Sequence, residues 1–366
     1  MKVYKCSNCQ SPLYFENNVC LNCQHNIGFD SDRLMLITLE SNHSGDWYDI
    51  SNTEKAYRYC ENNSYGTCNW LIPVNHHSCF CIACSLNRTI PSLSDQGNLY
   101  KWKNIEVAKH RLIYSLLKLH LAVQPKENEE DKKGIAFDFV ASKYEGEKVI
   151  TGHENGVITL NIEEADETAR TRNKLNLGER YRTLLGHFRH ETGHYYWDLL
   201  IKTSRLTERF REVFGDERKD YTEALEKYYH TPFPYNWANS FISVYATSHP
   251  WEDWAETWAH YLHMMDTLET AYSFGVRINP EKVNDQQYMQ AHIKKDPYKI
   301  SDFDEIIKMW LPLTYAVNSL NRSMGHADFY PFVIMPAVVE KLRFIHEVCR
   351  MASIGILVPE YQTRYQ

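Results

Sequence analysis

Between residues 102 and 123 the apolar positions Ile105, Leu112, Ile113, Leu116, Leu117 and Leu119 recur near the period of a helix. Pro125 and the charged run 126–133 close that pattern, and the run reads as a solvated loop. Short strand-like pieces follow at 135–140, 149–151 and 156–161, the last behind the turn signal Glu154-Asn155. From about residue 163 helical patterns dominate, one long pattern covering 179–202 and another beginning at Pro250, a residue suited to the first helical position. Residues 1–95 are turn-rich and lack helical periodicity, and no repeat of solenoid length occurs. The expected architecture is α+β: a small N-terminal domain over 1–95, then a mainly helical domain with a small antiparallel sheet over 96–366.

Composition narrows the classes. A chain of 366 residues at 43% hydrophobic and 24% charged can bury more than one core, which excludes disorder as its main state. Its 25 Tyr, 15 Phe and 9 Trp are expected mainly in core and walls. The formal charge is −7, and residues 1–100 carry six bases against nine acids, so nucleic acid is not an expected partner. No apolar run has the length of a membrane span, and none precedes the first cysteine motif, so a cytoplasmic protein without membrane attachment is expected.

Nine of the ten cysteines lie in the first 84 residues, and six of them form Cys-x-x-Cys pairs. Such spacing reads as metal, because tetrahedral zinc takes four thiolates from two knuckles and a reducing compartment keeps thiols unpaired. Cys6, Cys9, Cys20 and Cys23 form the first expected structural site. For the second, Cys81 and Cys84 supply the knuckle and Cys60 and Cys68 complete it; Cys79 is then the spare thiol, with His76 and His77 as competing ligands.

The segment His190-Glu191-Thr192-Gly193-His194 carries the chemistry. On a helix, residues four apart share a face, so His190 and His194 can grip one metal while Glu191 sits beside the remaining coordination position as a general base. Downstream, Glu252 and Glu256 also stand four apart, beside Trp251, Trp254 and Trp258, and two carboxylates in such a setting need a cationic partner. Glu252 is assigned as third ligand and Glu256 as the acceptor of a hydrogen bond from a ligand histidine; the reverse assignment stays open. Asp253 reads as a helix N-terminal charge, and His263 lies too far along the helix for the same metal. The strand at 156–161 is a place where an extended peptide could add by backbone pairing.

These residues resemble a family of bacterial zinc metallopeptidases with an N-terminal zinc-ribbon domain. The likeness rests on the Cys-x-x-Cys pairs, Cys68-Asn69-Trp70, Leu86-Asn87-Arg88-Thr89-Ile90-Pro91, the run from Tyr181 through Gly186-His187-Phe188-Arg189-His190-Glu191, His249-Pro250-Trp251-Glu252-Asp253-Trp254-Ala255-Glu256, and Asn321-Arg322-Ser323-Met324-Gly325. It implies a zincin-like fold. More distantly, Glu252-x-x-Ala255-Glu256 resembles the glutamate segment of anthrax lethal factor type gluzincins, in which the first Glu binds zinc and the second supports it. That resemblance nominates Tyr245, seven residues before Glu252, as a donor to the oxyanion.

The expected function is a zinc-dependent peptidase with one catalytic and two structural Zn²⁺ ions, acting on a peptide or protein substrate. Glu191 would take the proton of the attacking water and return it to the leaving amine. Competing readings are an adaptor whose His-Glu-x-x-His site is structural, and a zinc hydrolase of a non-peptide amide. The sequence assigns neither a particular substrate nor an oligomeric state.

Overall fold

The computed structural model describes residues 2–42, 44–141, 151–166, 183–281 and 289–357. Positions 149–150 of one expected strand and 179–182 of the expected metal-site helix lie outside them. The chain divides into two compact units: Met1–Lys118 with Val123–Asn176, and Leu119–Ala122 with Leu177–Gln366.

The first unit opens with a small antiparallel pair, β1 (Tyr4–Lys5) and β2 (Pro12–Leu13). An antiparallel meander follows, β3 (Asn26–Asp30), β4 (Met35–Ser41), β5 (Trp47–Asp49), β6 (Asn52–Tyr59) and β7 (Leu71–Pro73), paired in chain order. Gly28 is required in β3, because a β-carbon there would lie 2.5 Å from the Leu71 side chain. Helix α1 (Gln96–Lys118) buries Trp102, Ile105, Leu112, Ile113 and Leu116 completely. Its Tyr114 meets Phe15 and Phe29 edge-on at 5.4 and 6.1 Å, which ties α1 into the same core as the cysteine-rich segment.

Strands β8 (Asn87–Thr89), β9 (Ala136–Val140), β10 (Gly152–Glu154) and β11 (Val157–Asn161) form a second sheet in the order β10-β11-β9-β8. This sheet is mixed, since β9 runs parallel to both β8 and β11 and only β10 and β11 form a hairpin. Strand β11 is therefore interior, with both edges paired, and cannot accept an extended peptide as its sequence suggested. The fold class is α+β, with a zinc-ribbon portion followed by a mainly helical portion.

The second unit holds α2 (Leu184–Leu200), α3 (Thr207–Phe214), α4 (Tyr221–His230), α5 (Pro250–Ser273), α6 (Phe303–Ser323) and α7 (Pro336–Ser353), plus a short antiparallel pair, β12 (Arg277–Ile278) and β13 (Ala291–His292). Helix α2 starts where the Thr183 side chain accepts from Gly186 N, and α5 where the His249 side chain accepts from Trp251 N with Pro250 at the first turn. These two helices pack through an aromatic core: Tyr196 stacks on Trp258 at 5.0 Å, and Trp254 stacks on Trp258 at 5.8 Å. Trp254 Nε1 donates to Gly193 O at 2.8 Å, satisfying the one polar atom of that indole. Among the described residues no helix is long and apolar enough to cross a membrane.

Candidate metal centres

Both cysteine quartets assemble. Cys6, Cys9, Cys20 and Cys23 bring their sulfurs within 4.8 Å of one another, with Cys6–Cys23 at 3.5 Å and Cys9–Cys20 at 3.6 Å. Thiolates about 2.3 Å from a tetrahedral zinc stand about 3.8 Å apart, so these spacings suit the ion. The two knuckles share one turn: Gln10 and Gln24 have φ of 62° and 61°, and their N–H groups donate to Cys6 O and Cys20 O. Hydrogen bonding to Ser11 and Asn22 pulls the Cys9 thiol down to about 5, toward the thiolate a metal requires.

Cys60, Cys68, Cys81 and Cys84 form the second quartet, all buried, with Cys68–Cys81 at 3.7 Å, while Cys79 is exposed. Backbone N–H groups of Trp70, Cys81 and Cys84 donate to Cys68, Cys60 and Cys81 at 3.3, 3.4 and 3.5 Å. This site also reaches into α1, for His110 Nε2 lies 3.7 Å from Cys84 Sγ. Glu106, one turn before, accepts from Trp102 Nε1, Asn87 Nδ2 and Lys109 Nζ, so its carboxylate is fully engaged inside the core.

The third cluster lies in the second unit. His190 Nε2 and His194 Nε2 are 3.2 Å apart, and Glu252 Oε2 lies 3.0 and 3.4 Å from them. Two imidazole nitrogens and a carboxylate oxygen bound to zinc at about 2.0–2.1 Å stand about 3.3 Å apart. Chemistry agrees with spacing. His190 Nδ1 lies 2.7 Å from Glu256 Oε1, and with the proton on Nδ1 its Nε2 turns a lone pair toward a carboxylate and a second imidazole. Three electron-rich atoms meeting in a buried space require a cation. Burial opposes charge on the His190 imidazole, yet Glu252 and Glu256 outweigh it and hold its pKa well above the ordinary value, another expression of the same demand. The donor set fits zinc.

The closeness of α2 to α5 makes this possible. Gly193 and Ala255 mark the crossing, since a β-carbon on Gly193 would fall 2.9 Å from Ala255 Cα. His190 and His194 flank Gly193 on one helix, and Glu252 and Glu256 flank Ala255 on the other. Glu256 Oε2 accepts from Ser243 Oγ at 2.6 Å, and the same Oγ accepts from Ala246 N, inside the turn that carries Tyr245. The Tyr245 ring stands 5.9 Å from the His190 ring, and Trp251 lies 3.8 Å from the His194 ring. Glu191 is buried and accepts no hydrogen bond from any described residue; burial raises its pKa, offset in part by the two histidines.

The structure therefore brings together His190, His194, Glu252, Glu256 and Tyr245. Asp253 lies in the first turn of α5, as expected, where it is fully buried and paired with Lys341 Nζ at 2.6 Å, because that turn packs against α7. Arg322, in the Asn321–Gly325 run, pairs with Asp328 at 2.6 Å. Outside the cluster, as expected, His263 pairs with Arg189. Sequence reasoning missed Tyr221, whose Oη donates to Glu252 Oε1 at 2.6 Å, and Ser243; no spacing signals a tyrosine 31 residues away or a lone serine.

Residues 98–348 match the family described as putative zinc-binding metallo-peptidase, and residues 3–95 match a zinc-ribbon domain. The chain belongs to that peptidase family. Uncharacterized proteins of Mycobacterium tuberculosis and Mycobacterium bovis are 41% identical to it over 349 residues, covering 95% of each chain. No solved structure matches. The family boundary near residue 96 differs from the compact units, since α1 belongs to the family's matched span yet packs with the cysteine-rich core.

Proposed function

We propose that the chain is a zinc-dependent peptidase of gluzincin type, with His190, His194 and Glu252 as ligands. The observation that carries this reading is the triangle of two imidazole nitrogens and one carboxylate oxygen with sides of 3.2, 3.0 and 3.4 Å. When bound, zinc supplies Lewis acidity and acidifies water.

The residues of the chain do the rest. Glu256 holds His190 by its Nδ1–H, leaving Nε2 as the ligand atom. Glu191, next to His190 on α2 and without a hydrogen-bond partner among the described residues, is free to take the proton of the attacking water and return it to the leaving amine. Tyr245 donates to the oxyanion: burial first and the charge of Glu252 second hold its phenol far above the ordinary value, so it keeps its proton. The cysteine quartets are structural zinc sites, and free thiols throughout suit a cytoplasmic setting. The net charge of −7 supports a peptide or protein substrate over nucleic acid.

The test is digestion of a proteome-derived peptide library with the zinc-loaded chain and with Glu191→Gln. New peptide termini that appear with the parent and vanish in a variant of equal zinc content support the proposal. Absence of new termini with the parent, or their persistence in the variant, contradicts it.

A further inference from the structure

Glu252 offers two oxygens, and each has a different neighbour. Oε2 faces His190 and His194 at 3.0 and 3.4 Å, whereas Oε1 accepts from Tyr221 Oη at 2.6 Å. That distance is typical of a hydroxyl donating to a charged carboxylate. The phenol is itself braced. Tyr221 is the first residue of α4, where the Asp220 side chain accepts from Glu223 N, and its ring stands edge-on to His249 at 5.3 Å and Trp251 at 5.7 Å. Trp251 in turn lies against the His194 ring, so Tyr221 and a ligand histidine share one brace.

A hydrolytic zinc site keeps a position for water beside three protein ligands, and a carboxylate with both oxygens available can take that position by chelating. A strong hydrogen bond to one oxygen removes the option, because turning Oε1 toward the metal would break it. We propose that Tyr221 is a positioning residue that restricts Glu252 to one coordinating oxygen and so preserves the open position. Glu256 acts on a histidine and Tyr245 on the reacting oxygen; Tyr221 acts on the third ligand. The inference rests on the proposed ligand set of His190, His194 and Glu252.

The experiment uses the full-length chain loaded with Co²⁺, whose visible absorption weakens as coordination number rises. Subtracting the spectrum of His190→Ala removes the contribution of the cysteine quartets. A parent with no such difference spectrum would overturn the ligand set itself, and this proposal with it. Given the spectrum, Tyr221→Phe keeps the ring between His249 and Trp251, so the fold is expected to stand. In that variant the difference absorption is expected to fall by about half, with zinc affinity about 10-fold weaker by chelator competition. A Tyr221→Phe difference spectrum identical to the parent's would overturn the role of Tyr221 while leaving the ligand set standing.

Discussion

Gly193 and Ala255 meet where helices α2 and α5 cross, with room for no side chain on the glycine. The contact sets the distance between the histidine pair on one helix and the glutamate pair on the other. Gly193→Ala should raise intrinsic helix preference by about 1 kcal/mol. We nevertheless expect a net loss of about 1–3 kcal/mol, because the clash is with the backbone of Ala255 and the helices must part. Urea unfolding and zinc retention should both worsen, and a variant as stable as the parent with equal zinc would show that the crossing tolerates separation.

Glu256 meets the candidate metal cluster through His190 Nδ1. Glu256→Ala should weaken zinc binding at that cluster by about 10–100-fold, leaving the cysteine quartets loaded. Ser243→Ala should act in the same direction and less, since Ser243 bonds to Glu256 and not to a ligand. Chelator titration followed by metal analysis distinguishes the sites by the order in which they empty.

Lys341 and Asp253 are a buried pair, and Lys341 also donates to Ser240 O. Removing one partner strands the other charge, so Lys341→Ala should cost about 3–5 kcal/mol. The double variant Lys341→Met with Asp253→Asn should recover most of that loss. Equal losses in the single and double variants would mean that the pair matters through packing alone.

His346 Nε2 donates to Ser301 O at 3.2 Å, and its Nδ1 lies 3.0 Å from Tyr261 Oη, from which the neutral ring can accept. Burial lowers its pKa from 6.5 to about 4. The unfolded chain therefore binds the proton first: the contribution is complete above pH 6.5 and is lost as pH falls toward 4. Its size is up to about 3 kcal/mol. Between pH 6.5 and 4 the parent should lose stability more steeply than His346→Gln, and parallel curves would assign the acid sensitivity to other groups.

The parts of this molecule that could be read from its residues are those in which chemistry acts over short separations. A Cys-x-x-Cys knuckle and two histidines four apart declare themselves because the spacing of their donor atoms is set within a single turn. The start of α5 at Pro250 was equally legible, since its cap and first turn are local. What stayed hidden joins distant segments: Tyr221 to Glu252, His110 of α1 to Cys84, Lys341 to Asp253 across 88 residues. The pairing of β11 on both edges was hidden for the same reason, because alternation along a strand does not say which strands lie beside it. Asp253 lies in the first turn of α5 as expected, but its burial was hidden, because only packing against α7 causes it.

The proposed catalytic centre needs one zinc ion on His190, His194 and Glu252 in addition to two held by cysteines. Metal analysis of the purified full-length chain beside His190→Ala measures it directly. Three zinc ions per parent chain and two in the variant are expected. Equal zinc content in the two proteins would contradict it.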